Sequence, residues 1–338
     1  MFGRHRGAER ALPPSVTIIV VNFNAGAYLQ KCIVSLKAQS FADFEVVLVD
    51  NASRDDSIAR ARSEIGDDPR FHIREQDSNL GFAAGNNRGA EGARSRWIAT
   101  LNPDAFPAPD WLETLIAATK RDPDVAMFGS TQRMAETPAR LDGAGDRYFA
   151  AGIPWRDRST TRLDKAHAQG QDSFETFSPC AAAALYRTDA FRDVGGFDEA
   201  FFCYVEDVDL GFRLRRRGHH CRQVVDAVVH HVGGGAGGGR RSDFARYHGT
   251  RNMIWCFMKN MPMPLLVLLT PAHILSLALL LAVASAQGNG GAVARGIRDG
   301  VAGLPLIKRD RLETGRSTAI SAFDWSPFGY IRQRFRSG

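Results

Sequence analysis

A cluster of carboxylates follows an aromatic run in the second half of the chain. Glu206, Asp207 and Asp209 stand close together within Phe201-Phe-Cys-Tyr-Val-Glu-Asp-Val-Asp-Leu-Gly-Phe-Arg213. Apolar surroundings and neighbouring negative charges both raise the proton affinity of a carboxylate, so one of these acids could act as a general base. The alternative is a solvated helix start, because acidic residues are favoured in the first turn of a helix.

The elements that must position these acids alternate between strands and helices. The segments 16–21 and 44–50 are nearly continuous apolar runs, which are typical of strands covered on both faces. Their alternation with helical patterns predicts right-handed βαβ units and an α/β fold with an open, mostly parallel sheet flanked by helices. The other predicted strands are 71–74, 97–101, 125–129, 180–186 and 223–231, and the predicted helices are 28–38, 57–65, 79–89 and 110–119.

Polar residues follow several of these strands. Asn24, Asp50 and Asp104 each come just after a predicted strand end. In open α/β sheets, ligands bind outside the carboxyl ends of the strands, so the sequence predicts a site at this edge. Residues 131–174 are rich in Gly, Pro, Arg, Asp and Thr and predict an irregular insertion over that site.

The charge of the chain is unevenly distributed. The net charge is +6, and residues 240–338 contain 14 Lys/Arg against 5 Asp/Glu. A basic C-terminal region suggests an anionic partner, such as a membrane surface or nucleic acid. The 5 cysteines are scattered without Cys-x-x-Cys spacing, which predicts reduced thiols in a cytoplasmic compartment.

A series of short motifs stands in the order found in one enzyme family. The motifs are Val20-Val-Asn-Phe-Asn24, Val47-Leu-Val-Asp-Asn-Ala-Ser53, Asn79-Leu-Gly-Phe-Ala-Ala-Gly-Asn-Asn87, Leu101-Asn-Pro-Asp104, Gly195-Gly-Phe-Asp-Glu199, Glu206-Asp-Val-Asp209 and Val229-His-His231. On these motifs the chain resembles the inverting family 2 glycosyltransferases with a GT-A fold, and within them the rhamnosyltransferase-like enzymes of cell-surface polysaccharide assembly. The resemblance predicts a GT-A domain at 15–235. A basic, turn-rich start predicts a loose tail at 1–14, and a helical, membrane-associated region is predicted at 236–338.

The resemblance implies a nucleotide-sugar donor and a divalent metal. Departure of a nucleoside diphosphate builds up negative charge that a metal offsets, and oxygen ligands with one imidazole suit Mg²⁺ or Mn²⁺. Asp104 is the implied metal-binding acid of a DxD-type motif, in which Asn102 replaces the first Asp of many relatives. His230 matches the implied imidazole ligand and His231 is its rival. The alternative is an ordinary surface or core histidine.

Other motif residues are implied to bind the donor. Asp50 and Asn51 resemble the contacts to the base and ribose, and Asn24 lies beside them. The alternative for Asp50 and Asn51 is a turn with a helix cap at this strand end. The alternative for Gly85 and Gly89 is close packing of the helix on the sheet. The other residues expected at the donor pocket are Gly81, Gly85, Asn87 and Asn102.

Asp207 is the residue that the resemblance and the chemistry favour as the base. It would take the proton from an acceptor hydroxyl that attacks the anomeric carbon from the face opposite the nucleotide. The product would be inverted at that carbon. Glu206 and Asp209 are expected to orient the helix or to bind acceptor hydroxyls.

The C-terminal region contains a long uncharged stretch. Residues 260–294 contain no Asp, Glu, Lys or Arg, and 265–286 is almost wholly apolar. At about 1.5 Å per residue, this segment could cross a hydrocarbon core of about 30 Å. Basic residues on both flanks favour a re-entrant or interfacial helix on the cytoplasmic face of the cell membrane; a buried hairpin or a dimer interface is the alternative. Membrane seating suggests a polyprenyl-diphosphate-linked saccharide acceptor. Arg246, Arg251 and Asn252 could meet a diphosphate from the donor or the acceptor.

Two other functions are alternatives to glycosyl transfer. A nucleotidyltransferase on a related fold would need a basic glycine-rich loop after the first strand, but Asn22-Phe-Asn-Ala-Gly26 has no Lys or Arg. A non-catalytic, membrane-anchored nucleotide- or carbohydrate-binding protein would not need the acid cluster. Nucleic-acid binding is disfavoured because the basic region has no interleaved aromatic platforms. The resemblance favours dTDP-rhamnose as donor, with UDP and GDP sugars open, and predicts no particular oligomeric state.

Overall fold

The computed structural model describes residues 13–159, 161, 171–233, 242–309 and 317–328. Most of the predicted N-terminal tail and the glycine run after Gly233 lie outside these ranges. Within them, the chain forms a mixed β-sheet with helices on both faces, followed by C-terminal helices. The α/β prediction is confirmed.

The first half of the chain alternates strands and helices as predicted. β1 (Val16–Asn22) is buried at every position and β2 (Phe44–Asp50) at nearly every one, because both strands are covered on two faces. The next elements are α1 (Ala27–Lys37), α2 (Ser57–Ile65), β3 (Phe71–Glu75), α3 (Gly81–Ala90), β4 (Trp97–Leu101), β5 (Ala105–Pro107) and α4 (Trp111–Arg121).

β1 lies between β2 and β4 and is parallel to both. In this register Asn22 lies opposite Asp50, and Val20 lies opposite Leu101. The carboxyl ends of three strands therefore meet at one edge of the sheet. The turns that follow β1, β2 and β4 converge there.

The second half extends the sheet with antiparallel pairing. β6 (Met127–Met134) and β12 (Cys221–His231) run parallel, and β11 (Ala183–Arg187) lies antiparallel between β6 and β4. The other elements are β7 (Leu141–Gly143), β8 (Asp146–Phe149), β9 (Ile153–Arg156), β10 (Ser173–Glu175), α5 (Thr188–Asp193) and α6 (Glu206–Arg216). The sheet order is β10-β12-β6-β11-β4-β1-β2-β3, with β5 on β12 and β7 on β6.

The segment 131–174 is more ordered than predicted. In its described part, β6 continues to Met134, β7 pairs with β6, and β8 and β9 form a separate hairpin. The prediction of an irregular insertion was wrong because strands of three or four residues are too short to show a period of two. The hairpin brings Trp155 and Arg156 to the edge where the site lies.

Two hydrophobic clusters cover the two faces of the sheet. Along β1, Ile18 and Val20 pack on the side of α1 and α4, whereas Ile19 and Val21 pack on the side of α3. Alternate residues of a strand point to opposite faces, so both faces of this strand need apolar side chains. The second face also receives Leu210 of α6.

The C-terminal helices pack against the sheet domain. They are α7 (Asp243–Asn260), α8 (Met263–Ala286) and α9 (Gly290–Ala302). Phe212 of α6 shares a hydrophobic cluster with Trp255 and Phe257 of α7 and Leu277 of α8. These helices therefore share a core with the helix that carries the acid cluster.

α8 could cross a membrane by its length and composition, with 24 residues and a mean hydropathy of 2.4. One side of it is packed: the His273 ring lies within 2.8 Å of the Ala151 carbonyl and stacks on Phe257. Its other side is open, and Val267 and Leu268 are 70% and 69% exposed. The buried stripe consists of Leu266, His273, Leu277 and Ala284.

Candidate active site

A cavity of about 810 Å³ opens at the edge where β1, β2 and β4 end. The turns after these strands, the end of β12, the start of α6 and one side of α7 form its walls. Asp104 and Asp207, which are far apart in the sequence, therefore line one cavity. The sequence-predicted residues that line it are Asn51, Gly81, Asn102, Asp104, Glu206, Asp207 and His231.

Asp104 and His231 form a buried pair in this cavity. The Nε2 of His231 lies 3.3 Å from Oδ1 of Asp104 and 3.3 Å from Nδ2 of Asn102. Burial lowers the pKa of His231, but its hydrogen bonds to Asp104 and Asp142 outweigh this effect and raise the pKa above its ordinary value. The end of β12 thus faces the turn after β4.

Asp142 fixes the orientation of this imidazole. Its Oδ2 accepts a hydrogen bond from Nδ1 of His231 at 2.9 Å and lies 3.5 Å from Nη1 of Arg156. Arg156 also donates to Asp146 at 3.1 Å. Sequence analysis missed Asp142, Asp146 and Arg156 because they belong to the segment that was predicted to be irregular. The strands that carry them, β7, β8 and β9, are too short for their periodicity to have pointed to these residues.

His230 does not reach the site. Neighbouring side chains of a strand point to opposite faces, and the half-buried ring of His230 is absent from the cavity wall. Burial, and then the nearby Arg133, lower its pKa. The structure therefore corrects the choice between the two histidines: His231 is the imidazole beside Asp104.

Asp104, His231 and Asn102 together fit a divalent cation that also binds a diphosphate. A carboxylate and an imidazole suit Mn²⁺ or Mg²⁺, and such ions commonly take their other ligands from substrate phosphates and water. Among the described residues there is no group of three or more His, Cys, Asp or Glu placed to hold a metal alone.

Asp207 lies in the first turn of α6 and faces the cavity. Its Oδ2 accepts a hydrogen bond from the backbone N–H of Ala181 at 3.1 Å, and its Oδ1 accepts one from Val208 N at 2.9 Å. The neighbouring carbonyl of Ala182 accepts from the N–H of Asn102 at 2.9 Å. The 181–182 segment thus links the base candidate to the turn that carries Asp104.

Glu206 also lines the cavity but is almost wholly buried. Burial, with the negative charge of Asp207, raises the pKa of Glu206 well above its ordinary value. Within the part of the chain that the structure describes, its Oε2 has no hydrogen-bond partner. Buried polar atoms are normally paired, so this carboxyl is suited to a ligand hydroxyl.

The segment before the acid cluster has an unusual backbone. Phe202, Tyr204 and Val205 have φ angles of 64°, 68° and 68°, a region that β-branched and bulky residues rarely adopt. Such conformations cost about 1–3 kcal/mol each and cluster at functional sites. The carbonyl of Phe202 accepts from the N–H groups of Phe82 and Ala83 at 2.7 and 3.1 Å, which ties this segment to the start of α3.

Asp209 lies outside the cavity in a buried ion-pair network. Its carboxylate accepts from Arg213 Nε at 2.8 Å, from Lys259 Nζ at 3.1 Å and from Asn260 Nδ2 at 2.7 Å. The side chain is fully buried among protein partners, so its position does not support acceptor binding by Asp209. The alternative prediction, that it orients the helix, agrees with these contacts.

Asn51 and Gly81 meet in the cavity wall beside Phe202. Nδ2 of Asn51 donates to the Gly81 carbonyl at 3.0 Å, while its buried Oδ1 has no partner among the described residues. Gly81 has a φ of +83°, and a Cβ there would lie 2.5 Å from the Phe202 ring. Only glycine fits this position.

Asp50 and Asn24 are engaged within the turns and do not line the cavity. Asp50 accepts from Asn22 Nδ2 at 2.8 Å and from Ser53 N at 3.0 Å, and Asn24 Oδ1 accepts from Arg54 N at 2.8 Å. These contacts agree with the turn alternative. A donor contact by either residue stays a prediction.

Gly85 and Asn87 have packing roles and are absent from the cavity wall. A Cβ on Gly85 would lie 2.7 Å from Cγ1 of Val21 on β1. The Asn87 amide donates to the Phe197 carbonyl at 2.8 Å and accepts from the Phe197 N–H at 2.9 Å. The structure therefore corrects the prediction that they line the donor pocket.

Arg251 is likewise not a cavity residue. Its guanidinium donates to the carbonyls of Ala200 and Phe201 at 3.2 and 2.9 Å and lies 4.3 Å from the centre of the Trp255 ring. These contacts tie α7 to the turn before the acid cluster. The predicted meeting of Arg251 with a diphosphate is not supported by its position.

Comparisons with known proteins show which family and which solved structures this chain resembles. The family model described as glycosyl transferase family 2 matches residues 17–195. An N-acetylglucosaminyl-diphospho-decaprenol L-rhamnosyltransferase of Mycobacterium tuberculosis is 26% identical over 255 residues, which cover 68% of this chain and 80% of the relative. The sequence similarity therefore extends beyond the matched family region.

Solved glycosyltransferase structures share the fold. The mannosyltransferase PcManGT from Pyrobaculum calidifontis, in complex with GDP-Man and Mn²⁺, aligns with a TM-score of 0.55 and 19% identity over 97% of this chain and 89% of that one. GalNAc-T7 with UDP, GalNAc and Mn²⁺ aligns with a TM-score of 0.59 and 14% identity over 75% of this chain and 48% of that one. The fold is therefore GT-A. Because the family model matches more than half of the chain, this protein belongs to the family 2 glycosyltransferases and is rhamnosyltransferase-like.

Proposed function

We propose that this protein is an inverting glycosyltransferase that uses a divalent metal and a nucleoside-diphosphate sugar. The observation that carries the proposal is that Asp207 lines the same cavity as the Asp104–His231 pair. One carboxylate is thus available to remove a proton while a separate carboxylate and imidazole are available for a cation. A protein that only binds nucleotides would not need the second acid.

In the proposed reaction, Asp207 takes the proton of an acceptor hydroxyl. The hydroxyl oxygen forms a bond to the anomeric carbon as the bond from that carbon to the diphosphate oxygen breaks. The leaving nucleoside diphosphate keeps the electron pair, and the configuration at the carbon inverts. Asp104 and His231, with Asn102 beside them, would hold Mg²⁺ or Mn²⁺, which offsets the negative charge of the leaving group.

We propose dTDP-rhamnose as the first donor to test and a lipid-linked saccharide as the acceptor. The similar M. tuberculosis protein is named as a rhamnosyltransferase that acts on N-acetylglucosaminyl-diphospho-decaprenol. The exposed apolar side of α8 supports seating on a membrane, which would bring the cavity to a lipid-linked acceptor. We expect this seat to be the cytoplasmic face of the cell membrane, where bacterial nucleotide sugars are found.

A donor and acceptor screen tests the proposal. The full chain is incubated with dTDP-rhamnose, UDP and GDP sugars, Mg²⁺ or Mn²⁺, and a synthetic N-acetylglucosaminyl diphospho-lipid. We expect metal-dependent release of the nucleoside diphosphate and a disaccharide lipid product, with the largest yield from dTDP-rhamnose. Thermal stabilisation by nucleotide sugars without transfer to any acceptor would instead support a binding protein.

A further inference from the structure

The Asn252 side chain of α7 is hydrogen-bonded to the segment that leads into the acid cluster. The Nδ2 of Asn252 donates to the carbonyls of Phe201, Cys203 and Tyr204 at 2.8, 2.9 and 2.7 Å. Asn252 is fully buried, and its Oδ1 accepts from Arg251 at 2.9 Å. One amide therefore fixes three carbonyls of a stretch that lies outside any regular strand or α-helix.

The same stretch contains the left-handed residues described above. Non-glycine residues persist in this region only where their surroundings determine the conformation, and the three Asn252 hydrogen bonds supply such surroundings. Val205, with φ 68° and ψ −4°, directly precedes the first turn of α6. Its conformation therefore sets the direction in which Asp207 enters the cavity.

We propose that Asn252 is a positioning residue for sugar transfer, acting through the backbone of 201–205 to orient Asp207. The inference rests on the proposed role of Asp207 as the base. α7 would then have two tasks, since Phe244 and Met253 on the same helix line the cavity. The C-terminal helices would then support catalysis in addition to attaching the protein to a membrane.

The geometry predicts an effect on turnover rather than on nucleotide binding. A rotation at the start of α6 would break the 3.1 Å contact between Asp207 Oδ2 and Ala181 N. A displacement of about 1 Å at a reacting group can lower a rate by about 100-fold. The Asp104–His231 pair, where the diphosphate is proposed to bind, is built by the turn after β4 and the end of β12, and the carbonyls that Asn252 binds belong to neither segment.

The test compares two substitutions on α7 in the full chain. Asn252→Leu removes all three donations at similar volume, and Ile254→Ala removes buried apolar packing against Gly300 of α9. We expect Asn252→Leu to lower kcat by about tenfold or more, with the Kd for the nucleoside diphosphate within about twofold of wild type. Ile254→Ala should lower Tm while kcat per folded molecule stays unchanged.

Two results would overturn the inference. One is a normal kcat for Asn252→Leu, and the other is a fall of kcat in both variants that only follows their loss of folded protein. If the leucine variant does not fold, Asn252→Ser, which keeps one donor, takes its place. The inference then requires that this variant lowers kcat and leaves the Kd for the nucleoside diphosphate unchanged. Full activity of Asp207→Asn would overturn the proposed function and this inference together, whereas an inactive Asp207→Asn beside a normal Asn252→Leu overturns only the inference.

Discussion

The imidazole of His231 donates its Nδ1–H to the carboxylate of Asp142 across 2.9 Å in the buried wall of the cavity. With Nδ1 engaged, the Nε2 of the ring is directed to the side of Asp104. A carboxylate behind a metal-binding histidine fixes its ring orientation and tautomer and increases its basicity. The hydrogen bond from His231 to Asp142 would therefore orient the Nε2 of His231 toward the proposed cation.

Removal of Asp142 should weaken metal binding, although the proposed ligands Asp104 and His231 remain. We expect Asp142→Ala to lower the affinity for Mn²⁺ in the presence of a nucleoside diphosphate by about 10–100-fold, measured by isothermal titration calorimetry. Asp226→Ala, at an exposed position of the same strand, is the control and should bind Mn²⁺ normally. Equal affinities for the two variants would contradict a supporting role for Asp142.

The two adjacent histidines form a matched test. His231→Ala should abolish the Mn²⁺ heat signal and metal-dependent transfer, because it removes the imidazole beside Asp104. His230→Ala should retain both, because its side chain is not part of the cavity wall. Loss of the Mn²⁺ signal in His230→Ala, with a normal signal in His231→Ala, would mean that β12 presents its other face to the donor in the active state.

Asp207→Asn should remove the base while keeping the shape of the site. General-base catalysis contributes about 10²–10⁴-fold to a rate, and we expect a loss of kcat in this range with nucleoside-diphosphate affinity unchanged. Donor turnover is followed by nucleoside-diphosphate release, and the anomeric configuration of the wild-type product by NMR. Near-normal turnover of the variant, or a product with retained configuration, would exclude Asp207 as the base of an inverting reaction.

Asp209→Asn should destabilise the fold rather than alter the chemistry. Breaking a buried ion pair from one side costs about 3–5 kcal/mol, because the buried cation of Arg213 would lose its carboxylate and Lys259 would keep only Asp198. A fall in the free energy of unfolding should appear in urea titrations. Asp56→Asn breaks the exposed pair with Arg60 and should leave stability almost unchanged. Equal stability of the two variants would argue against the network.

The same network predicts acid sensitivity. Burial raises the pKa of Asp209, but Arg213, Lys259 and Asn260 outweigh burial and hold it below the ordinary 3.8. A group whose pKa is lowered on folding stabilises the native state above its unfolded pKa and loses this contribution as the pH falls through the folded value. We expect the stability gap between wild type and Asp209→Asn to be constant above about pH 5 and to shrink below pH 4. A gap that widens on acidification would contradict this assignment.

Membrane seating is testable on the open side of α8. Replacing exposed Leu268, Leu275 and Leu279 by serine should release the protein from lipid vesicles, since each buried leucine contributes about 1.5–3 kcal/mol. Val34→Ser, an exposed apolar residue on α1, should not affect co-sedimentation. Release of the wild-type protein by a salt wash would show that its attachment is electrostatic rather than apolar.

Much of the framework is determined by local sequence. The spans 44–50, 57–65 and 97–101 were predicted to the residue, because apolar runs, helical spacing and bounding turns act within a few residues. The order of the motifs also predicted the enzyme family. The position of Asp104 after a strand predicted that it lies at the edge of the sheet where the cavity opens. Properties that depend only on neighbours along the chain, or on the ends of parallel strands, can be predicted from the sequence in this way.

The roles of individual side chains were decided by tertiary contacts. Whether His230 or His231 faces Asp104 depends on the pleat at the end of β12, and Asp142 meets that ring across 89 positions of sequence. Asn252 reaches the segment before the acid cluster from a separate helix. Sequence alone thus determined which chemical groups this protein has and at which edge they gather. The three-dimensional packing decided which of them share the cavity, because orientation and burial arise from contacts between distant segments.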